Sequence, residues 1–392
     1  MSSTLRQIPA SIWVLGLVSL LMDVSSELIH SLLPAFLVGS LGASATMLGL
    51  IEGAAESLAL IVKIFSGALS DYLGRRKALA ALGYGLGALS KPLFALASSA
   101  GMVLAARLID RTGKGIRGAP RDALVADIAP PHLRGASFGL RQALDTVGAF
   151  LGPLLAIALM LLWANNFHTV FWFAVIPAFL AVALLLFGVQ EPEHRQDGKR
   201  TNPIKLANLR RLSKDYWWVV AFGALFTLAR FSEAFLVLRA FQGGLAVAWL
   251  PLVFVSMNAV YALSAYPFGK LADTTRHATL LKYSLLLLIA ADVVLAQSSH
   301  FVYVFLGVVL WGLHMGLTQG LLAAMVAGSA PADLRGTAYG FFNLCSGAAM
   351  LVSGLLAGEL WDRLGPAYTF GTGGILALVA LGILALRDEH SA

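Results

Sequence analysis

The chain has 392 residues, of which 58% are hydrophobic and only 12% are charged. A soluble protein could not keep this much apolar surface away from water, so the composition excludes a water-soluble globular fold and indicates a protein embedded in lipid. The net charge of +7 could suggest nucleic-acid binding, but the Lys and Arg residues concentrate in particular loops, where they set membrane topology. The single cysteine, Cys345, excludes an internal disulfide.

Apolar runs of about 20 residues recur along the chain, and a helix of that length crosses a bilayer. We predict six such spans in each half, and therefore an all-α membrane protein with twelve transmembrane helices in two pseudo-symmetric six-helix bundles. The bundles are expected at 1–190 and 216–392, with a basic cytoplasmic linker at 191–215. Because the alternate loops lack Lys and Arg, both termini are predicted to be cytoplasmic.

The first span carries three ionisable residues, Asp23, Glu27 and His30, which stand four and three residues apart and so share one stripe of a helix. A charge at the bilayer centre costs roughly 2.5 to 3.5 kcal/mol, so the stripe is expected to face the protein interior or a water-filled cavity. Two carboxylates and an imidazole suit a proton relay, and they also suit a divalent metal ion as ligands. Alternatively, the carboxylates balance cations on a neighbouring helix.

Charged residues also interrupt the second and fourth spans. In the second span, Glu52 is expected near the outer end, where water can reach it, so Glu56 is the better functional candidate. The mostly basic stripe of the fourth span predicts an internal pair between Asp110 and Lys114, and it could instead bind an anionic substrate. Its last two members are expected to anchor the helix at the membrane surface. The stripe consists of Arg107, Asp110, Arg111, Lys114, Arg117 and Arg121.

The fifth span combines charge with small residues. Arg141 and Asp145 stand four residues apart, and Gly148, Gly152 and Pro153 follow them. Small residues at this spacing let two helices approach closely, and the proline is expected to bend the span.

The second half has fewer ionisable residues inside its spans. Arg230 and Glu233 lie one turn apart in the seventh span, and His314 lies in the tenth. A lone histidine in a helix is more often a hydrogen-bonded structural residue, but His314 together with His30 is a candidate for binding a substrate or a proton. Aromatic residues that could line a cavity for amphiphilic cations are Phe226, Phe231, Phe235 and Trp311.

The loop after the second span resembles a motif of a known family. It reads Gly67-Ala-Leu-Ser-Asp71-Tyr-Leu-Gly74-Arg75-Arg76-Lys77 and is similar to the signature loop between helices two and three of the major facilitator superfamily of secondary transporters. The resemblance implies gating roles for Gly67, Asp71, Arg75 and Arg76, with Asp71 and Arg75 latching the cytoplasmic side closed in the outward-facing state. A partial second copy of the loop, Gly269-Lys-Leu-Ala-Asp273, indicates an internal duplication.

Further stretches resemble exporters within that superfamily. The run Gly148-Ala-Phe-Leu-Gly152-Pro153 is similar to the antiporter motif of the fifth helix, which implies a gating role for these residues. Arg107 or Arg111, followed by Gly113 and Gly115, resembles the arginine motif that antiporters use in proton coupling. Whole segments such as Asp23-Val-Ser-Ser-Glu27-Leu-Ile-His30 resemble a bacterial subgroup that includes nickel-resistance exporters and other metal or metal-chelate exporters.

These observations predict a proton-coupled antiporter that exports a cationic or metal-containing small solute across the bacterial inner membrane by alternating access. The alternatives are a multidrug antiporter for amphiphilic cations, an organic-anion transporter that uses the basic stripe of the fourth span, and a non-transporting membrane sensor. We expect no enzyme and no cofactor, because nucleotide loops, metal-enzyme motifs and serine elbows are missing from the sequence. The expected partners are the solute, protons and the lipid bilayer, with no nucleic acid, and the expected state is a monomer.

Overall fold

The computed structural model describes residues 7–191, 209, 211–272, 274–318, 320–331 and 334–391, without the side chains of residues 68, 71 and 388–391. The predicted linker at 191–215 therefore lies mostly outside the described residues. The side chain of the predicted gating residue Asp71 lies outside them as well.

Twelve long helical segments follow one another along the chain, which confirms the predicted all-α, twelve-helix fold class. The seventh and tenth segments are interrupted, and each is written in two parts. The segments are α1 (Ala10–His30), α2 (Ala45–Leu73), α3 (Arg76–Ala95), α4 (Ala100–Ile128), α5 (Arg134–Leu162), α6 (Phe167–Gly188), α7a (Lys214–Ala229), α7b (Ala234–Gln242), α8 (Leu252–Ala272), α9 (His277–Gln297), α10a (Phe301–Thr318), α10b (Leu321–Ser329), α11 (Arg335–Leu364) and α12 (Pro366–Ser391).

Within the described ranges, ten of these segments are long and apolar enough to cross a membrane. The two segments outside this group are α2 and α4, which carry charged residues predicted from the sequence. Length therefore supports all twelve as spans, whereas length and composition together support ten.

Side-chain caps fix where several helices begin. Ser99, Asn166 and Ser213 each precede a helix and accept a hydrogen bond from a backbone N–H of its first turn, at 3.4, 3.1 and 3.1 Å. Such caps satisfy N–H groups that have no partner inside the helix. They define the starts of α4, α6 and α7a.

The described contacts group the chain into two compact units. One contains Met1–Leu32 and Leu58–Asn202, and the other contains Leu33–Ser57 and Pro203–Ala392. The first part of α2 therefore packs with the second unit and the rest of α2 with the first unit. The predicted bundle boundaries at 190 and 216 stay a prediction.

The core of the first unit leaves one face of α1 for its charged residues. Leu15 and Met22 of α1 pack with Tyr84 of α3 and with Ala178 and Leu185 of α6 in one buried apolar cluster. Since these residues occupy the side of α1 that faces α3 and α6, the remaining face of α1 is available to α5 and α4.

In the second unit, the first part of α2 packs closely against α11, a contact called the clasp below. Residues 45–53 of α2 and 350–362 of α11 approach so closely that a Cβ on Gly354 would lie 2.3 Å from the carbonyl oxygen of Gly49. At the end of this contact, the Asp362 carboxylate accepts hydrogen bonds from the backbone N–H groups of Ala45 and Thr46, at 2.9 and 2.8 Å, and from the Thr46 hydroxyl at 2.7 Å. Asp362 thus caps α2 from a distant part of the chain.

Two segments of the second unit are broken in their middle. The seventh segment stops at Ala229 and resumes at Ala234, and the tenth stops at Thr318 and resumes at Leu321. Gly320 in the second break has φ of +77°, a left-handed conformation that favours glycine. Each break frees backbone carbonyl groups that a continuous helix would use.

Candidate functional site

Two glycines of α5 bring that helix directly onto the acidic stripe of α1. A Cβ on Gly148 would lie 2.5 Å from the carbonyl oxygen of Leu20 and 3.0 Å from Cβ of Asp23. A Cβ on Gly152 would lie 2.9 Å from Cβ of Glu27. Distances this short leave room only for glycine, so the small residues of α5 set where the carboxyl-bearing face of α1 lies in the first unit.

The carboxylates of this stripe lie among cations. Asp23 and Glu27 are both half-buried, and the Glu27 carboxylate lies 3.4 Å from Nδ1 of His30. Asp23 interacts electrostatically with Lys114 and Arg117 of α4, and Glu27 interacts with Lys114 and with Arg111. The predicted stripe is therefore present in the fold, and its acidic residues face the basic stripe of the fourth segment.

A metal centre was one interpretation of the same stripe. Among the residues that the structure describes, no three His, Cys, Asp or Glu side chains are grouped so that they could hold a metal ion. The proposed ligands Asp23, Glu27 and His30 remain a prediction, with the contact between Glu27 and His30 as the pair that the fold brings together.

The basic stripe of α4 is buried inside the first unit. Arg107, Arg111 and Arg117 are 2, 3 and 5% exposed, whereas Lys114 is exposed. Charged side chains are almost never buried unless they have partners of opposite charge. The first unit therefore contains three buried guanidinium groups around Asp110, of which Arg111 and Arg117 also interact with the carboxylates of α1.

The described partner of Asp110 lies on another helix, and the predicted pair between Asp110 and Lys114 stays a prediction. Asp110 lies 2.6 Å from Nζ of Lys91 on α3, and both side chains are buried. The Lys91 ammonium also donates to Ser26 of α1 at 3.0 Å. Asp110 is buried between α3 and α4, where Lys91 and the arginines of α4 balance its charge.

Lys91 is a charged residue of the site that the sequence analysis missed. It is 1% exposed and stands just before Pro92 in an otherwise apolar span. A single lysine in the middle of such a span is itself a signal, because an unpaired ammonium there would be costly and so predicts an acidic partner on another helix.

The last two arginines of the stripe were expected to anchor α4 at the membrane surface, and this expectation is wrong. Arg117 is buried, and its guanidinium lies 4.8 Å from the centre of the Tyr84 ring. Arg121 donates to Ser19 at 3.1 Å and lies 3.6 Å from the Asp145 carboxylate. Both arginines turn into the first unit, where aromatic and polar groups of α1, α3 and α5 satisfy their charge.

The pair on α5 forms as its spacing suggests. The Arg141 guanidinium lies 3.4 Å from the Asp145 carboxylate, and it also lies 3.9 Å from Asp122 of α4. Together with Arg121, these residues form a network of two arginines and two aspartates between α4 and α5. The network contains equal numbers of positive and negative charges. The buried positive charge of α4 therefore comes from Arg107, Arg111 and Arg117.

The loop between α2 and α3 makes its described contacts within the first unit. Gly74 has φ of +64°, a conformation that glycine adopts without strain, and Arg75 precedes the first turn of α3. Arg76 forms an ion pair with Asp127 of α4 and donates to the carbonyl oxygen of Ala123 at 3.0 Å. A Cβ on Gly67 would lie in ordinary contact, 3.5 Å from Ala119.

The predicted residues of the second unit separate into a half-buried ion pair and a buried histidine. Arg230 and Glu233 form an ion pair of 2.8 Å within the break between α7a and α7b. His314 is fully buried, its Nδ1 lies 2.8 Å from the Ser284 hydroxyl, and its ring stacks on Phe226. These contacts match the structural role that a lone histidine in a helix usually has.

The two acidic residues of α2 are placed differently from the expectation. Glu52 is 1% exposed, so the prediction that it is solvated is wrong. Its burial follows from Gly49 and Gly53, which draw this part of α2 against α11. Glu56 is half-buried one turn further along.

Twelve helical segments, ten of them apolar enough to cross a membrane, with ion pairs inside the spans and two interrupted helices, define a multi-pass membrane transport protein. The model of the Major Facilitator Superfamily matches residues 15–354 of the chain. The chain therefore belongs to the Major Facilitator Superfamily and is an MFS-type secondary transporter, which confirms the family resemblance and the general class of function.

Individual relatives agree with this assignment. An uncharacterized MFS-type transporter of Methanocaldococcus jannaschii is 32% identical over 97% of this chain and 95% of its own length. The inner membrane transport protein YajR of Escherichia coli is 25% identical over 96% of this chain and 83% of its own length. The crystal structure of the nucleoside transporter NupG (D323A mutant) has a TM-score of 0.81 over 96% of this chain and 99% of its own, at 12% identity, and so supports the fold alone.

Proposed function

We propose that this transporter is a proton-coupled antiporter that exports a small cationic or metal-containing solute by alternating access across the bacterial inner membrane. The observation that carries the proposal is the pair of half-buried carboxylates, Asp23 and Glu27, which α5 holds against cations of α4. Charged groups inside a membrane span are costly and mark pathways for ions or protons. The protein acts as a monomer with both termini in the cytoplasm, and its two bundles span 1–190 and 216–392.

In this mechanism a proton and the solute compete for the same carboxylates. An ionised Asp23 or Glu27 attracts a cationic solute from the cytoplasm, and protonation from outside neutralises the carboxylate and releases the solute. Because the carboxylates bind either the proton or the solute but not both at once, inward proton movement drives outward solute movement. Lys114, beside both carboxylates, raises the cost of binding a second cation and so helps to make the exchange exclusive.

Two segments act as gates in the proposal. Asp71, Arg75 and the glycines of the loop between α2 and α3 hold the cytoplasmic side closed in one state. The close contact at Gly148 and Gly152, followed by Pro153, is the pivot between α1 and α5, so a movement of α5 changes the position of the carboxylates directly.

A second candidate function is the transport of an organic anion. The specific observation in its favour is the burial of Arg107, Arg111 and Arg117 in one unit, together with the absence of a metal-binding group among the described side chains. Protonation of Asp23 or Glu27 would then free an arginine to bind the anion. In that case the proton and the solute bind together, and the sign of their coupling is opposite.

The sign of the coupling separates the two candidates. Purified protein in weakly buffered detergent is mixed with nickel chloride, tetraphenylphosphonium chloride or sodium benzenesulfonate, and a pH indicator reports proton release or uptake. The antiporter proposal expects proton release with one of the two cations and a smaller release in Asp23→Asn and Glu27→Gln. The matched control is Asp215→Asn, because Asp215 pairs with Arg387 in the other unit and is expected to leave the release unchanged.

Each outcome has a definite meaning. Proton uptake with benzenesulfonate would replace the antiporter proposal with the anion candidate. Release with nickel that disappears in His30→Ala would assign a metal site to α1, whereas unchanged release in that variant would exclude one there. No proton movement with any of the three probes would count against proton coupling.

A further inference from the structure

We propose that Asp292 of α9 is a proton-binding site in the second unit, separate from the carboxylates of α1. Its part in transport rests on the proposed proton coupling, but the proton itself can be observed in the protein without any solute.

Asp292 is fully buried and has no hydrogen-bond partner among the described residues. It is 0% exposed, and neither of its carboxyl oxygens bonds to any group that the structure describes. Burial of an ionised carboxylate without a compensating partner is among the most costly arrangements in a protein, whereas the neutral acid is far easier to bury. The surroundings therefore suit a carboxyl group that carries a proton.

The carboxyl group faces the free end of a broken helix. The Asp292 carboxyl group and the Ala229 carbonyl group both lie close to Gly373 of α12. A Cβ on Gly373 would be 3.0 Å from Oδ2 of Asp292 and 3.2 Å from the carbonyl oxygen of Ala229. Ala229 is the last residue of α7a, and the final carbonyl groups of a helix carry partial negative charge and lack partners inside the helix. Such an end repels a carboxylate but accepts a hydrogen bond from a protonated acid.

Glycine on α12 makes this approach feasible. A Cβ on Gly373 would also lie 2.7 Å from Cε1 of Phe231, and one on Gly374 would lie 3.5 Å from Cβ of Asp292. The two glycines let the backbone of α12 approach the acid, and the Phe231 ring lies beside Gly373. The site is consequently shielded from water by apolar groups, which strengthens any electrostatic interaction inside it.

The nearby charges do not neutralise Asp292. Arg230, which follows Ala229 at the end of α7a, is paired with Glu233 at 2.8 Å, and His314 is bonded to Ser284, two turns away from Asp292 on α9. On α12, Arg387 pairs with Asp215. Arg239 of α7b donates to the carbonyl oxygen of Leu295 at the end of α9, at 3.0 Å. The charged or titratable side chains described on α9 and on the segments around it are His277, Lys282, Tyr283, Lys214, Asp215, Tyr216, Arg230, Glu233, Arg239, Tyr303, His314, Tyr368 and Arg387.

A proton fits this site better than a metal ion does. Sodium and other hard cations need several oxygen ligands, and the groups described around the carboxyl supply the Ala229 carbonyl together with the edge of an aromatic ring. A single proton needs one acceptor. The Ala229 carbonyl is an acceptor near the acid, and a hydrogen bond to it would form only while Asp292 carries its proton.

Infrared spectroscopy tests the proposal directly. Purified full-length protein at neutral pH is examined for the carbonyl stretching band of protonated carboxylic acids, first in water and then in D₂O. We expect this band to lose one component in Asp292→Asn, which keeps the shape of the side chain but has no exchangeable acid proton. The control is Asp362→Asn, whose carboxylate accepts three hydrogen bonds in the same unit, and there the band is expected to be unchanged.

A second variant covers the case in which Asp292→Asn does not fold. Gly373→Ala adds a methyl group 3.0 Å from Oδ2 and is expected to shift the frequency of the same component. A band that is identical in the wild type and in Asp292→Asn, or in the wild type and in Gly373→Ala, would overturn the proposal. Loss of the component on adding sodium chloride, but not potassium chloride, would also overturn it in favour of a sodium site.

These results are independent of the solute test. If no solute moves protons but the Asp292 component is present, the proposed antiport fails and the proton-binding site stands. If solutes release protons and the component is absent, antiport stands and Asp292 is not a proton site.

Discussion

Substitution of Gly148 by alanine tests whether the close contact between α1 and α5 positions the carboxylates. In an exposed part of a helix, replacing glycine by alanine raises the free energy of unfolding by up to about 1 kcal/mol, because alanine is the better helix former. At Gly148 the new Cβ would lie 2.5 Å from the Leu20 carbonyl oxygen and 3.0 Å from Cβ of Asp23, so the two helices have to separate. Overpacking of this kind typically costs about 1–3 kcal/mol.

The matched control lies in the same helix. Gly139 of α5 is exposed, and a Cβ there would have open space around it. Gly139→Ala is therefore expected to be stabilised by the higher helix propensity of alanine, without any overpacking cost. The two variants should therefore differ in free energy of unfolding by about 1–3 kcal/mol, which is the overpacking cost by itself. Equal helix preference at the two positions cancels in the comparison.

Thermal unfolding of the purified variants in one detergent measures the difference. Gly148→Ala is expected to unfold at a lower temperature than Gly139→Ala and to show a weaker proton release with the responsive solute, because Asp23 moves with α1. If the two variants are equally stable and release protons equally, the reasoning about this contact is refuted.

Three further predictions concern stability. Lys91→Met is expected to lose about 3–5 kcal/mol because it removes the hydrogen-bonded partner of the buried Asp110 carboxylate, and the double variant with Asp110→Leu should recover most of the loss; denaturant unfolding checks whether it does. Asp362→Ala should lose about 0.5–2 kcal/mol with the cap of α2, and amide hydrogen exchange at residues 45 and 46 should accelerate; unchanged protection would argue against the cap. Gly320→Ala should cost about 1–2 kcal/mol because of its left-handed backbone, whereas Gly328→Ala, in open space on α10b, should be neutral or stabilising by thermal unfolding.

The helical architecture was predictable because it depends on local properties. The length of apolar runs fixes how many helices can cross a bilayer, and the spacing of Asp23, Glu27 and His30 fixes that they share a face. The pair Arg141 and Asp145 was predictable for the same reason, since a separation of four residues brings side chains together within one helix.

Partners from different helices were not predictable in this way. The pair between Asp110 and Lys91 joins two helices, so it depends on the packing of α3 against α4 and not on a spacing within one helix. The capping of α2 by Asp362 joins residues more than 300 positions apart. The burial of Glu52 depends on glycines of both α2 and α11, and a single-helix pattern contains no information about that second helix.

The clasp between α2 and α11 also makes the protein convenient to engineer. A Cβ on Gly358 would lie 2.5 Å from Cα of Thr46, so cysteines introduced near these positions would be close enough for short chemical crosslinkers. The chain has one native cysteine, Cys345, and its replacement would leave a background without competing thiols. If the crosslinking yield in resting membranes falls when solute is supplied, the yield would report how often α2 and α11 separate during transport.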